Sequence, residues 1–350
     1  MRSLPLAADH EALHASFAAA GAWRLPLDYG DAAKEQRAGR ATSGLIDLTA
    51  KGKIRVTGPD RLSFLDGLLT NDLKPLRAGQ GVYAATLDHK GRVHGDLVAY
   101  ELGDSHLLAI DPDATEPVLA HLNKQLVSDD VTLEDVSTEF AILGIYGPRS
   151  GDLAAKIVGR APAQPFDHAQ VEKEGRSLRI ARSPAFGGEG YELWIPAGDA
   201  AEFWRQILAA GATPFGQRAA EALRIEAGRP KYPEDMNEET LAVEARLEDA
   251  ISATKGCYIG QEVVSRATNI GHVNRRLVGL RVDSESPPTA RTKVDAAGKP
   301  VGFVTSAAKS ASLGKVVALA YVRVGSDALG TPLAVEGASA RVAALPFVRF

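Results

Sequence analysis

The chain of 350 residues carries 45% hydrophobic residues, 24% charged residues and a formal net charge of -4. That is globular usage, which excludes a disordered or fibrous chain and lacks the basic excess that most nucleic-acid binders use against phosphate. A single cysteine allows no intramolecular disulfide and cannot alone complete a zinc site or hold an iron-sulfur cluster, as expected of a chain kept in a reducing compartment.

At the N-terminus, Asp9, His10 and Glu11 stand where a signal peptide needs apolar residues, and no apolar run of about 18 residues occurs. A cytoplasmic protein with no membrane segment is expected. From Lys53, "KIRVTGPDRLSFLDGLLTNDL" reads as a strand, a break at Gly58 and Pro59, and a helix with Leu62, Leu65, Leu68 and Leu69 on one face. "GVYAATLDHKGRVHGDLVAYEL" reads as two strands joined by a turn over 88–91, followed by the strand "HLLAI", a helix carrying Val118, Leu119, Leu122 and Leu126, and the strand "VTLEDV". The opening device returns in "FAILGIYGPRSGDLAAKIVG": a strand, then Gly147 and Pro148, then a helix with Leu153 and Ile157. The strands "SLRIARS" and "GYELWIP" follow, then the helices "DAAEFWRQILAAG" and "QRAAEALRIEAG", the latter capped at Gly228. Beyond Arg276, short alternating segments separated by Gly, Ser and Pro predict a small, partly closed β-barrel.

The one cysteine stands in "TKGCYIGQEVVSRA", two residues after Lys255 and between Gly256 and Gly260. A neighbouring cation stabilises a thiolate, and Lys255 is the nearest in sequence, with Arg266 beyond it. The glycines predict that Cys257 sits on a turn, with Gln261 and Glu262 free to hydrogen-bond across it or to meet a ligand. A small buried hydrophobe is the competing reading. A cysteine hydrolase would need a histidine base. His272 is the one close in sequence, and more distant ones such as His89 and His94 are paired only by a fold.

"KGCYIGQE" (Lys255, Gly256, Cys257, Tyr258, Gly260, Gln261, Glu262), with Arg266 and the "GHVNRRL" that follows, resembles the signature of the YgfZ-type folate-binding proteins, whose mitochondrial relatives act late in iron-sulfur cluster assembly. These belong to the superfamily of the T-protein of the glycine cleavage system, a tetrahydrofolate-dependent aminomethyltransferase. "SGLIDLTAKGKIRVTGPDRLSFLDGLLTNDL", "GYELWIP" and "ALRIEAGRPKY" are similar to that superfamily, so the likeness runs from about Gly44 to Leu277 and more weakly beyond.

The resemblance implies an α+β fold: two related α+β domains and a C-terminal β-barrel in a ring around a central opening. It implies a discontinuous first domain over 1–53 and 137–240, an inserted domain over 54–136, a linker with the cysteine motif over 241–275, and the barrel over 276–350. The cofactor implied is tetrahydrofolate or a one-carbon derivative, bound by Glu192, with Tyr83 and Tyr191 as aromatic wall or hydroxyl, Asp96 at the reacting end, and Arg224 for the ligand's anionic groups. On residue type alone Glu192 reads equally as a solvated strand residue, Tyr191 as core, and Arg224 as the partner of Glu221 or Glu226. The T-protein pattern has two adjacent acidic residues where this chain has Gly95 and Asp96, and it lacks the Cys257 motif.

Two functions follow. One is a tetrahydrofolate-binding accessory factor for assembly or repair of iron-sulfur proteins, such as radical tRNA-modifying enzymes. In this reading Cys257, Lys255 and Asp96 act on cluster enzymes or carrier proteins, and the chain is a monomer without a resident metal or nucleic acid. The alternative is a folate-dependent aminomethyl- or methyltransferase in which Asp96 and Glu192 do the work and Cys257 is incidental. A pure interaction module that has lost the ligand is the third possibility.

Overall fold

The computed structural model describes residues 2–271 and 273–349. The chain opens with a small sheet of β1 (Arg2–Ser3), β2 (Ser16–Ala20) and β3 (Trp23–Asp28), with α1 (Ala7–Ala12) between the first two strands; α2 (Ala32–Ala41) and β4 (Gly44–Asp47) follow. Next come β5 (Gly52–Thr57), α3 (Arg61–Leu68), β6 (Gln80–Leu87), β7 (Val93–Glu101), β8 (His106–Ile110), α4 (Pro112–Gln125) and β9 (Thr132–Asp135). The plan repeats in β10 (Phe140–Tyr146), α5 (Ser150–Val158), β11 (His168–Lys173), β12 (Arg176–Arg182), β13 (Gly190–Pro196), α6 (Ala200–Ala209) and β14 (Thr213–Pro214). Two further helices, α7 (Gln217–Glu226) and α8 (Gln261–Ile270), precede the last six strands.

The repeat is visible in the strand order. One sheet runs β6-β7-β8-β5-β9 and the other β11-β12-β13-β10-β4-β14, so each is a three-stranded meander that closes back onto its own first strand. They diverge at the position beside that first strand, which β9 fills in one sheet and the earlier β4 in the other. Both units turn from first strand to helix at a glycine in the left-handed region: Gly58 (φ +106) and Gly147 (φ +119). A Cβ at Gly58 would stand 2.1 Å from the Asp130 carbonyl oxygen, and one at Gly147 2.6 Å from that of Thr42, so only glycine fits either corner.

Each unit has its own apolar core. Ile54, Leu65, Leu97, Val118 and Leu122 anchor the first, which also takes in Leu247, Tyr258 and Val264 from the segment after α7. Leu143, Ile180, Leu193, Phe203 and Trp204 anchor the second. The C-terminal strands β15 (Arg275–Val282), β16 (Lys293–Ala296), β17 (Lys299–Ser310), β18 (Lys315–Arg323), β19 (Pro332–Val335) and β20 (Ala338–Ala343) form a closed barrel. The expectation of a partly closed barrel is corrected here: β16 bridges β17 and β19, and its four residues "KVDA" are too short and polar to announce a strand. The expected α+β class is the observed one. Among the described residues, no helix is long and apolar enough to cross a membrane.

Candidate functional site

A cavity of about 220 Å³ lies where the two large sheets face each other and α7 closes the side. Glu192 comes to it from β13, paired with Gly144 on β10 and Ala181 on β12, and is 1% exposed. Its Oε1 accepts hydrogen bonds from Lys51 Nζ (2.9 Å), Tyr146 Oη (3.0 Å) and Ser183 Oγ (3.0 Å). Burial pushes this carboxyl up, but the Lys51 ammonium and the converging donors outweigh it and hold the group below the usual carboxylate range. Lys51 is held above its ordinary value by the reciprocal effect: burial disfavours its charge, and Glu192, Asp111 and Asp96 together outweigh that.

Asp96 reaches the same cavity from β7. Its Oδ2 accepts a 2.7 Å hydrogen bond from Tyr83 Oη, which β6 presents two residues along from the Ala85–Asp96 pair. Its Oδ1 is buried with no hydrogen-bond partner. Burial and then the negative charge of Asp111 push this carboxyl up to about 7, against the Tyr83 hydrogen bond and Lys51. One cavity therefore holds two carboxyls driven in opposite directions, Glu192 below its ordinary range and Asp96 above it. Phe166 lies parallel to the Tyr83 ring at 6.3 Å, and the Arg229 guanidinium stands 5.9 Å from the centre of that ring.

Tyr83, Asp96, Glu192 and Arg224 thus line one cavity. The role expected of Arg224 is corrected, because all of its donors are spent within the protein. Nε and Nη2 bond the Glu221 carboxylate, Nη1 bonds Asp235 and the Arg229 carbonyl oxygen, and Nη2 also bonds Ser306 Oγ. Glu226, the other partner weighed for it, is taken by Arg40. Tyr191 is also corrected: its hydroxyl lies between Arg182 (2.8 Å) and Glu189 (3.1 Å) and is absent from the cavity wall, where Tyr146 stands instead. Lys51, Tyr146, Ser183, Asp111 and Arg229 went unread in the sequence. The spacing of Lys51 from Glu192 carries no local signal, whereas Arg229 and Lys231 stand in the open in "GRPKY".

The cysteine motif packs elsewhere. Cys257 is exposed, which overturns the reading as a small buried hydrophobe, and it does not line the cavity. Lys255 is not a partner for the thiolate. Its Nζ is buried and donates to the carbonyl oxygens of Asp66 (2.7 Å), Leu69 (2.8 Å) and Asn71 (2.8 Å) at the end of α3, beside the Asp66 carboxylate (3.1 Å). Gly260 is left-handed (φ +87) and precedes α8, whereas Gly256 has no positive φ and nothing crowds it. Tyr258 is buried, Gln261 donates its backbone N–H to the Tyr258 carbonyl, and Glu262 pairs with Arg266 on the exposed face of α8 at 2.8 Å. His94 stacks on His121 (4.4 Å between ring centres), and His272 lies outside the described residues. Among the described residues, no group of three or more His, Cys, Asp or Glu is placed to hold a metal ion.

Two α+β units of one plan, a closed barrel, and a cavity whose wall carries two carboxyls shifted in opposite directions define a three-part protein. Residues 6–255 match the family model described as the GCVT N-terminal domain, and residues 275–348 the glycine cleavage T-protein C-terminal barrel domain. The chain is 32% identical to an aminomethyltransferase of Saccharopolyspora erythraea over 99% of its own length and 98% of that protein's. With an aminomethyltransferase of Geobacillus kaustophilus it shares 35% identity over 94% and 93% of the two lengths. The crystal structure of glycine cleavage system aminomethyltransferase T from Bartonella henselae superposes with a TM-score of 0.92 at 26% identity, covering 100% of this chain and 99% of that one. The chain belongs to the glycine cleavage T-protein family.

Proposed function

We propose that the chain binds a reduced folate, tetrahydrofolate or a one-carbon derivative, in the central cavity and acts there as a folate-dependent aminomethyl- or methyltransferase. The observation that carries this reading is the placement of two carboxyls, Glu192 and Asp96, on the wall of one cavity that drives them in opposite directions. A pterin offers an N3–H and a 2-amino group side by side, donors matched to one carboxylate. The Glu192 donors within the protein converge on Oε1, so Oε2 is the oxygen that accepts from the pterin. Bound tetrahydrofolate supplies nitrogens that take up and release a one-carbon unit. Lys51 keeps Glu192 charged for its grip. Tyr83 fixes Asp96 through Oδ2, and the unpartnered Oδ1 is left to hold or give a proton at the reacting end. Arg229 and Lys231, both on the cavity wall, offer positive charge to the anionic tail. The names of the relatives support the same reading.

Anaerobic incubation with tetrahydrofolate and an aminomethyl or methyl donor is the test. The expected result is methylene- or methyl-tetrahydrofolate by mass spectrometry, with Asp96→Asn lowering kcat about 100-fold while leaving folate bound. Binding without turnover across amine and methyl donors would sink the transferase reading.

A second reading is favoured by the cysteine motif: an accessory factor for iron-sulfur proteins of the YgfZ type, working through Cys257 on cluster enzymes or carriers. Its support is an exposed thiol on a loop held by buried Lys255 and Tyr258, a way of offering sulfur to a protein partner rather than to the cavity. Cells lacking the protein would then lose activity of cluster-dependent enzymes under oxidative stress, and Cys257→Ser would fail to restore it. Full restoration by Cys257→Ser removes this reading.

A further inference from the structure

The register of β7 and β8 carries one step further than the cavity description. Leu97 pairs with Ile110 on the last rung of the ladder; Asp96 and Asp111 follow outward on the two chains, Asp111 in extended conformation as the N-cap residue of α4, and the Asp111 charge acts on Asp96. Both residues line the cavity. Like charges that neighbour each other across antiparallel strands repel. The Lys51 and Lys231 ammoniums feel the charge of Asp111, but neither carboxyl is used by its own element. Asp111 is the N-cap residue of α4 but its side chain makes no capping bond, and Asp96 keeps a buried oxygen without a donor. Two ionised carboxylates so placed, one of them shielded from water, are unfavourable, and sharing a single proton relieves the repulsion.

We propose that Asp96 and Asp111 hold one proton between them at neutral pH, carried on Asp96 Oδ1 and kept there by Asp111 as a positioning residue. The groups facing the pair from the packed elements are Tyr83 from β6, Lys51 from the turn between β4 and β5, Arg229 and Lys231 from the segment after α7, and Glu192 from β13. Tyr83 donates to Oδ2, which leaves Oδ1 as the seat of the proton. Lys51 is paired with Glu192, and its charge also acts on Asp111 and, less strongly, on Asp96. Burial and Asp111 prevail over Tyr83 and Lys51 in raising Asp96. The use of the proton rests on the folate reading above. During aminomethyl transfer the Asp96 Oδ1–H bond breaks as the donor's C–N bond breaks, the proton passing to the leaving amine nitrogen while the carbon bonds the accepting folate nitrogen, which sheds its own proton to water. Asp96 remains as carboxylate and regains its proton from water.

The pair itself is tested without any ligand, so its failure and that of the folate reading are distinguishable. Infrared spectra of the ligand-free protein carrying ¹³C-labelled aspartate show a protonated carboxyl band directly. A band at about pH 6 that titrates away with a midpoint of about 7 and is absent in Asp96→Asn is the expected result. In Asp111→Asn, and in Asp111→Ser as a second substitution, the midpoint is expected to fall by about one pH unit, a tenfold change in proton affinity. An unchanged midpoint in both Asp111 variants overturns the proposal, and so does absence of the band in the wild type. Should neither variant fold, absence of the band in the wild type still overturns the proposal.

Discussion

Glu192 and Asp96 show how one cavity drives two carboxyls apart. The first is buried against an ammonium and several donors, the second against a phenol and another acid, and environments that push paired titratable groups in opposite directions mark acid and base assignments. The Asp96 shift also has a stability consequence whose sign is fixed by linkage. Its folded-state value of about 7 lies above the ordinary 3.8, so between about pH 4 and pH 7 the folded chain binds a proton that the unfolded chain has released, and stability falls as pH rises through that window. Asp96→Asn removes this penalty. Its unfolding free energy relative to wild type is expected to rise by about 2 kcal/mol between about pH 5 and pH 8 in urea titrations. A pH-independent difference would show that Asp96 is not raised in the folded protein.

At the scale of elements, the cysteine motif is first a brace. Lys255 returns from the far side of the sequence to the end of α3, meeting carbonyl oxygens that the helix leaves without partners. Asn71, whose carbonyl it also bonds, donates its side-chain amide to the Tyr83 carbonyl at 2.9 Å, so the brace reaches a cavity strand. Lys255→Met leaves these three carbonyls without their donor, while Asp66 keeps Lys74 and the Leu73 N–H, and is expected to lower stability by about 3 kcal/mol. Cys257→Ala, at an exposed position, is expected to change it by no more than about 0.5 kcal/mol, both read by thermal or urea unfolding. Equal effects would contradict the brace. The repeated strand, glycine and helix device was legible because Gly58 and Gly147 each sit at a corner where only glycine fits. Five of the six barrel strands were legible from alternation, and β16 was not, being four residues with little of it. The carboxyls of the site were readable only through family motifs. Lys51, Tyr146 and Ser183 were hidden, because contacts over 141, 46 and 9 residues leave no periodic trace. Arg224 and Lys255 were misread for the same reason: a charged side chain in a motif gives no sign of which distant oxygens it will meet.

At the scale of the molecule, the barrel is joined to the α+β body through Asp235. Its buried carboxylate accepts hydrogen bonds from Arg224 of α7, the Lys231 backbone N–H, and Thr305 and Ser306 of β17. Asp235→Ala leaves the Arg224 guanidinium without its most buried partner and is expected to cost about 3 to 5 kcal/mol, with barrel and body unfolding in separable calorimetric transitions. A single unshifted transition would mean that the junction is held by its other contacts, such as Ser310 with Glu226 and Ala311 with Gln36, rather than by Asp235. That junction closes one side of the cavity on which the functional reading depends. The most direct test is calorimetric titration of tetrahydrofolate, under anaerobic conditions, into wild type, Glu192→Ala and Cys257→Ser. Saturable binding is predicted for wild type and Cys257→Ser, weakened about 100-fold or lost in Glu192→Ala, as removal of a charge-assisted hydrogen bond requires. Binding of equal strength in wild type and Glu192→Ala, or none in wild type by two methods, would contradict the account.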